Sequence, residues 1–218
     1  SGGAEAVNPH CFARDDPLYF ALGRVPHPDN LQVSYGCNIA NDLGAILDCD
    51  AESASSNDRI FRTTRQYLLQ SNSPPDLLII GWSTWEREEW LHDGIYYQVT
   101  AGGSDTVPNE LKTKYKEWVV AQHDSDVINK KIVDSHRRIF EFHKELENLG
   151  IPHLFFNTYS TFNHVKHLAH LGVSESDWND SYVSPYQQNM AYYYWLKDQG
   201  FIFNYYNNNL GTVSNWET

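Results

Sequence analysis

Three short runs carry the side chains best suited to chemistry: AESASSNDR (51–59), GWSTWERE (81–88) and NTYSTFNH (157–164). All are rich in Ser, Thr and Asn, whose hydroxyls and amides donate hydrogen bonds to a developing oxyanion, while small neighbours let backbone N–H groups approach. Ser55, Asn57, Gly81, Ser83 and Thr84 are the oxyanion or cleft candidates, and Arg59, Trp82, Trp85 and Arg87 are candidates for a cleft wall or a binding contact. An ion pair from Arg59 to Glu86 or Glu88 would tie two of these runs together; the alternative is that Arg59 or Arg87 holds an acidic group on a ligand.

Elements must position these runs. Ser34 is placed to cap a helix in which Tyr35, Ile39 and Leu43 recur at helical spacing, with Gly44 at its end. A strand over 45–49 is expected next, then a helix from Asn57 or Asp58 to about Gln70. SNSPPD (71–76) breaks the chain, and the apolar run from Leu77 to Ile80 reads as a strand buried on both faces. Residues 85–107, with Gly94, Gly102 and Gly103, read as an irregular surface insertion.

A helix is expected from Pro108 to Gln122 and another from Ser125 to Leu149, where Ile128, Ile132, Ser135, Ile139, Phe142, Leu146 and Leu149 form one stripe. Asp134 to His136 reads as part of that helix's solvated face. Gly150 ends it, 151–157 is a third strand, and helices are expected over 161–171 and 185–199. Strands alternating with helices imply a three-layer α/β parallel sheet, whose ligands bind beyond the carboxyl ends of the strands. The 218 residues are expected to form a single domain, with 1–33 as a proline-punctuated irregular wrap.

Composition narrows the functions. A formal net charge of −12 with scattered basic residues lacks the footprint of a nucleic-acid binder. No apolar run approaches the roughly 20 residues that cross a bilayer, and the N-terminal residues do not resemble a signal peptide, so a soluble cytoplasmic or virion-associated chain is expected. Cys11, Cys37 and Cys49 are odd in number and lack metal-site spacing, and are expected to be free thiols. His164, His167 and His170 step by three, so a single ion could take at most two of them; they read as a partly exposed helix face, and no metal or cofactor is expected. Aromatic residues make up 14% of the chain and crowd YYYWLKDQGFIFNYY (192–206), either as core packing or as an exposed platform for a sugar or a protein assembly partner.

The series SYGCNIANDLGA (34–45), DAESASSNDRIFRTT (50–64) and PDLLIIGWSTWERE (75–88) resembles the middle of an SGNH (GDSL-type) hydrolase, particularly phage-encoded and bacterial members. The resemblance covers roughly residues 34–90. It implies a flavodoxin-like sheet and ester hydrolysis by a serine on the first strand's loop. It also implies an oxyanion hole containing a glycine and an asparagine, and an Asp and a His near the C-terminus.

The match departs from the pattern at each block. Gly-Asp-Ser is absent, and SGGAE (1–5) looks like what would follow it; the second block's glycine is replaced within Ser53, Ala54 and Ser55. Gly81 matches the third block, but its asparagine falls near Ser83 or Thr84, and the last block meets Val213 and Asn215, with no histidine after His170. Asparagine has no proton of suitable pKa to act as a general base. Two readings therefore stand. One is an esterase or deacetylase acting on an acylated carbohydrate or lipid, with its nucleophile strand ahead of residue 1. The other is a non-catalytic binding or structural relative, such as a phage-particle component.

Overall fold

The computed structural model describes Gln32 and residues 34–52, 55–102, 107–162 and 172–200, with the backbone alone at 203–204 and 214–215. The expected wrap over 1–33, Cys11, most of the expected helix over 161–171 with His164, His167 and His170, the aromatic run beyond residue 200, and Val213 lie outside the described residues, as do the side chains of 214–215. The chain falls into two compact units, one holding residues up to Asn72 with Glu86–His123, the other Ser73–Trp85 with residues from Asp124 onward.

In the first unit, helix α1 spans Tyr35–Leu43. Ser34 Oγ accepts from Cys37 N at 3.2 Å, and Gly44 closes the helix at φ 63°, a conformation that suits a residue without Cβ. The strand expected over 45–49 does not form. Ala45 N is bound back to Ala40 O, Ile46 is 98% exposed, and no described strand offers this segment a ladder. Helix α2 spans Asn57–Gln70, and its cap is Ser56 rather than Asn57 or Asp58, with Ser56 Oγ accepting from Arg59 N.

The stretch expected to be irregular holds a hairpin instead: β1 is Leu78–Trp82 in the other unit, while β2 (Glu88–His92) and β3 (Ile95–Val99) pair antiparallel here. Asp93 and Gly94, at φ 47° and 78°, make the two-residue left-handed turn whose twist matches that of the flanking strands. One hairpin face buries Trp90 and Val99 with Val107 and Tyr115, and Trp118 packs against them. Tyr115 lies in helix α3, Lys112–Ala121, which follows a short 3-10 turn at Asn109–Leu111. The other face carries Glu89 opposite Gln98, and both bond to α2 or its cap.

The second unit is built on a parallel sheet. β1 pairs with β4 (His153–Asn157) in register from Leu78 opposite His153 to Trp82 opposite Asn157, and β4 pairs in parallel with the two-residue β5, Tyr182–Val183. Helix α4, Ser125–Asn148, is capped by the Asp124 side chain and followed by Gly150 at φ 68°. Its Phe142 meets Trp82 at 6.1 Å and Phe155 at 6.3 Å between ring centroids, and Trp82 meets Phe155 at 5.0 Å, so the three rings lock helix to sheet.

The buried stripe of α4 is wider than the aliphatic residues alone show. Ile132, His136, Ile139, His143 and Leu146 are all buried, and His136 is inside rather than on the solvated face expected for Asp134–His136. Helix α5, Tyr192–Asp198, follows, and β6 (Phe203–Asn204) pairs with β7 (Ser214–Asn215). The fold is thus mixed α/β with a three-stranded parallel sheet.

Candidate functional site

Ser55, Asn57, Arg59 and Arg87 belong to the first unit, and Gly81, Trp82, Ser83, Thr84 and Trp85 to the second. At the entry to α2, Ser55 and Asn57 are buried, and Ser55 Oγ has no hydrogen-bond partner among the described residues. Arg59 does not reach toward Glu86 or Glu88. It pairs with Asp50 at 3.1 Å and Glu52 at 2.6 Å, because both carboxylates sit on the segment leading into its own helix.

The tie between α2 and the hairpin is made by Arg62. Its Nε and Nη2 each donate to a Glu89 carboxylate oxygen at 2.7 Å, and its guanidinium lies 4.0 Å from the centroid of Tyr96. Hydrogen bonding to Glu89 raises the Arg62 pKa further. Burial pushes the Arg87 guanidinium down from its usual value, with Glu86 opposing. Glu88 accepts from both the Trp90 and Trp118 indoles at 2.8 Å.

In the second unit the carboxyl ends of three parallel strands open onto loops. Gly81, Trp82 and Ser83 are buried, and Trp82 is a core residue rather than a cleft wall, while Trp85 stacks on Phe162 at 5.7 Å. Thr158 binds Trp82 O through both its N–H, at 3.1 Å, and its hydroxyl, at 2.7 Å. Asn157 is 2% exposed; its amide donates to Pro185 O and its carbonyl oxygen accepts from Tyr182 Oη at 2.8 Å. Thr161 Oγ1 donates to Gln188 Oε1. The amide at the end of β4 and the hydroxyls after it thus hold the loops to one another.

Three tyrosines pack together next to that loop. Tyr159 meets Tyr193 at 5.0 Å and Tyr194 at 5.5 Å, and Tyr193 meets Tyr194 at 5.2 Å. Tyr193 N donates to Thr158 O, which anchors α5 to the loop after β4. Tyr159 is exposed and its two partners are half-buried. Ser184, next after β5, has φ 39°, a left-handed conformation strained for a residue with a Cβ that precedes proline.

Three histidines of this unit, His136, His143 and His153, are buried. His136 Nε2 lies 3.1 Å from Tyr186 Oη, which accepts from Trp178 Nε1 at 3.1 Å. Phe162, Trp178 and Tyr186 surround the ring, and burial lowers its pKa to about 4. His143 bonds His153, so among the described residues none of these three rings pairs with a serine hydroxyl. Their step of 4-3-4-3 with Ile132, Ile139 and Leu146 is the sequence signal that marks His136 and His143 as inward-facing.

Cys37 and Cys49 are free thiols. Among the described residues no group of three or more His, Cys, Asp or Glu is arranged to hold a metal ion, and no helix is long and apolar enough to cross a membrane. Comparison with protein-family models, with curated proteins and with solved structures gave no match to this chain.

Proposed function

We propose that the protein is an SGNH-like, flavodoxin-related α/β protein that recognises an acylated carbohydrate at the carboxyl end of its parallel strands and binds it without hydrolysing it. The observation that carries this reading is the division of labour beyond β4. Asn157, Thr158 and Thr161 spend their polar groups on the framework, whereas the Tyr159 ring beside them stays exposed. A hydrolytic site needs a nucleophile within reach of a base, and the buried histidine rings bond Tyr186 and each other instead. The resemblance over residues 34–90 supports the fold assignment, and the changed positions at Ser83, Thr84 and Asn215 support the loss of chemistry.

The hydrolytic reading rests on Ser55, a buried hydroxyl at the start of α2 with no hydrogen-bond partner among the described residues. Incubation with p-nitrophenyl acetate and with a fluorophosphonate probe separates the two. Loss of a working triad typically costs about 10⁶-fold, so turnover at background and no covalent label are expected. Robust hydrolysis with labelling of one serine, at Ser55, Ser83 or elsewhere, would overturn the non-catalytic reading.

A further inference from the structure

We infer that Tyr159, Tyr193 and Tyr194 form the stacking subsite for a neutral pyranose ring; this rests on the reading of the protein as a carbohydrate binder. The rings form a closed triangle with centroid separations of 5.0, 5.2 and 5.5 Å, so each holds another in place. A platform fixed before binding loses little side-chain freedom when a ligand arrives. Tyr159 nonetheless keeps 45% of its surface exposed.

The surroundings define the ligand. The platform follows the carboxyl end of β4, where parallel sheets place their ligands, and Tyr193 N is tied to Thr158 O there. Gln188 Nε2 donates to Tyr159 O at 3.3 Å, and the neighbouring Gln187 and Asn189 are exposed. Aromatic faces meet the axial C–H groups of a sugar, and neutral amides meet its hydroxyls. The segment from Ser184 to Tyr194 contains no Lys or Arg, and the chain carries a net charge of −12, which disfavours an anionic sugar.

The test is titration of the full chain with cellohexaose, N-acetylchitohexaose and a partly O-acetylated xylo-oligosaccharide. Calorimetry gives the affinity, and intermolecular NOEs from sugar protons to assigned ring resonances of the isotope-labelled wild type report which tyrosine rings contact the sugar. At least one probe is expected to bind at millimolar or tighter, with contact at Tyr159. Tyr159→Ala should weaken binding about tenfold or more, while Tyr159→Phe, which keeps the ring face, should stay within about twofold. No binding by any probe at millimolar concentration, or equal affinity in Tyr159→Ala and wild type, would overturn the subsite.

These outcomes are separable from those for the broader reading. Sugar binding that ignores Tyr159 removes this subsite and leaves carbohydrate recognition standing. Ester hydrolysis that depends on Tyr159 keeps the subsite and removes the non-catalytic reading. Ring contacts observed in the wild type decide the matter even where an alanine variant fails to fold.

Discussion

His143 Nδ1 lies 2.8 Å from His153 Nε2, an imidazole-to-imidazole hydrogen bond between the buried face of α4 and the first residue of β4. The tautomers follow from the partners. Ile151 O, 2.9 Å from His153 Nδ1, can only accept, so that nitrogen carries a proton and His153 Nε2 is the acceptor. His143 Nδ1 is then the donor, which leaves its Nε2 without a proton, 3.5 Å from Glu147 Oε1. In this arrangement a proton taken up by His143 goes to the nitrogen facing Glu147.

Burial lowers the pKa of His143 and brings that of His136 to about 4. Each folded value lies below the unfolded one, so the stabilisation is present above about pH 6.5 and is lost as pH falls toward the folded value. For His136 alone the loss should reach about 2 kcal/mol by pH 5, and His143 acts in the same direction. Urea midpoints at pH 7.5, 6 and 5 should therefore drop in the wild type and drop less in His136→Phe. Parallel slopes for the two proteins would refute the assignment.

These histidines also show what residue types conceal. The spacing of α4 was legible, and so were its start, its end at Gly150 and the parallel strands at 78–82 and 153–157, because apolar periodicity reports burial directly. The hairpin was equally written in LHDGIYY, an Asp-Gly pair between strand-forming residues, but the surrounding glycines and charges obscured it. The 45–49 segment misleads in the other direction. Its composition suits a strand, yet a ladder needs a neighbour, which no local pattern can supply. For the candidate site, the run NTYSTFNH was legible as the segment that ends a strand and enters a loop, whereas the bonds that occupy Asn157, Thr158 and Thr161 depend on loops distant in sequence.

Arg62 and Glu89 offer a direct test of what holds α2 to the hairpin. The Glu89 side chain is 3% exposed and accepts from Arg62 twice and from Gln98 Nε2 at 2.7 Å, while its backbone N–H donates to Asp58. Arg62→Met keeps much of the stem but strands a buried carboxylate, and should cost about 2 kcal/mol, below the full cost of a buried pair because Arg62 is partly solvated. Adding Glu89→Gln should restore about 1 kcal/mol, since the group left behind is then neutral. A single-variant cost under about 0.5 kcal/mol in denaturant unfolding would place this pair among the surface ion pairs of little consequence.

The shortest strand of the sheet depends on one hydroxyl. β5 has two residues and pairs with β4 through Tyr182 opposite Phe155, and Phe155 N donates to Ser181 O at 2.7 Å. So brief a ladder needs side-chain support, and Tyr182 supplies it twice. Its ring meets Trp178 at 4.8 Å and Phe155 at 5.7 Å, and its hydroxyl donates to Asn157 Oδ1 at 2.8 Å. Burial raises the Tyr182 pKa well above its usual value, so the hydroxyl remains a donor across the working pH range. Tyr182→Phe retains the ring contacts and removes only this donor, leaving the buried Asn157 oxygen unpaired at a cost of about 1–2 kcal/mol. The loss should appear both in the denaturant midpoint and as faster hydrogen exchange of the Phe155 amide, because β5 is the element released. Unchanged exchange at Phe155 alongside unchanged stability would show that the hydroxyl does not hold β5 in the sheet.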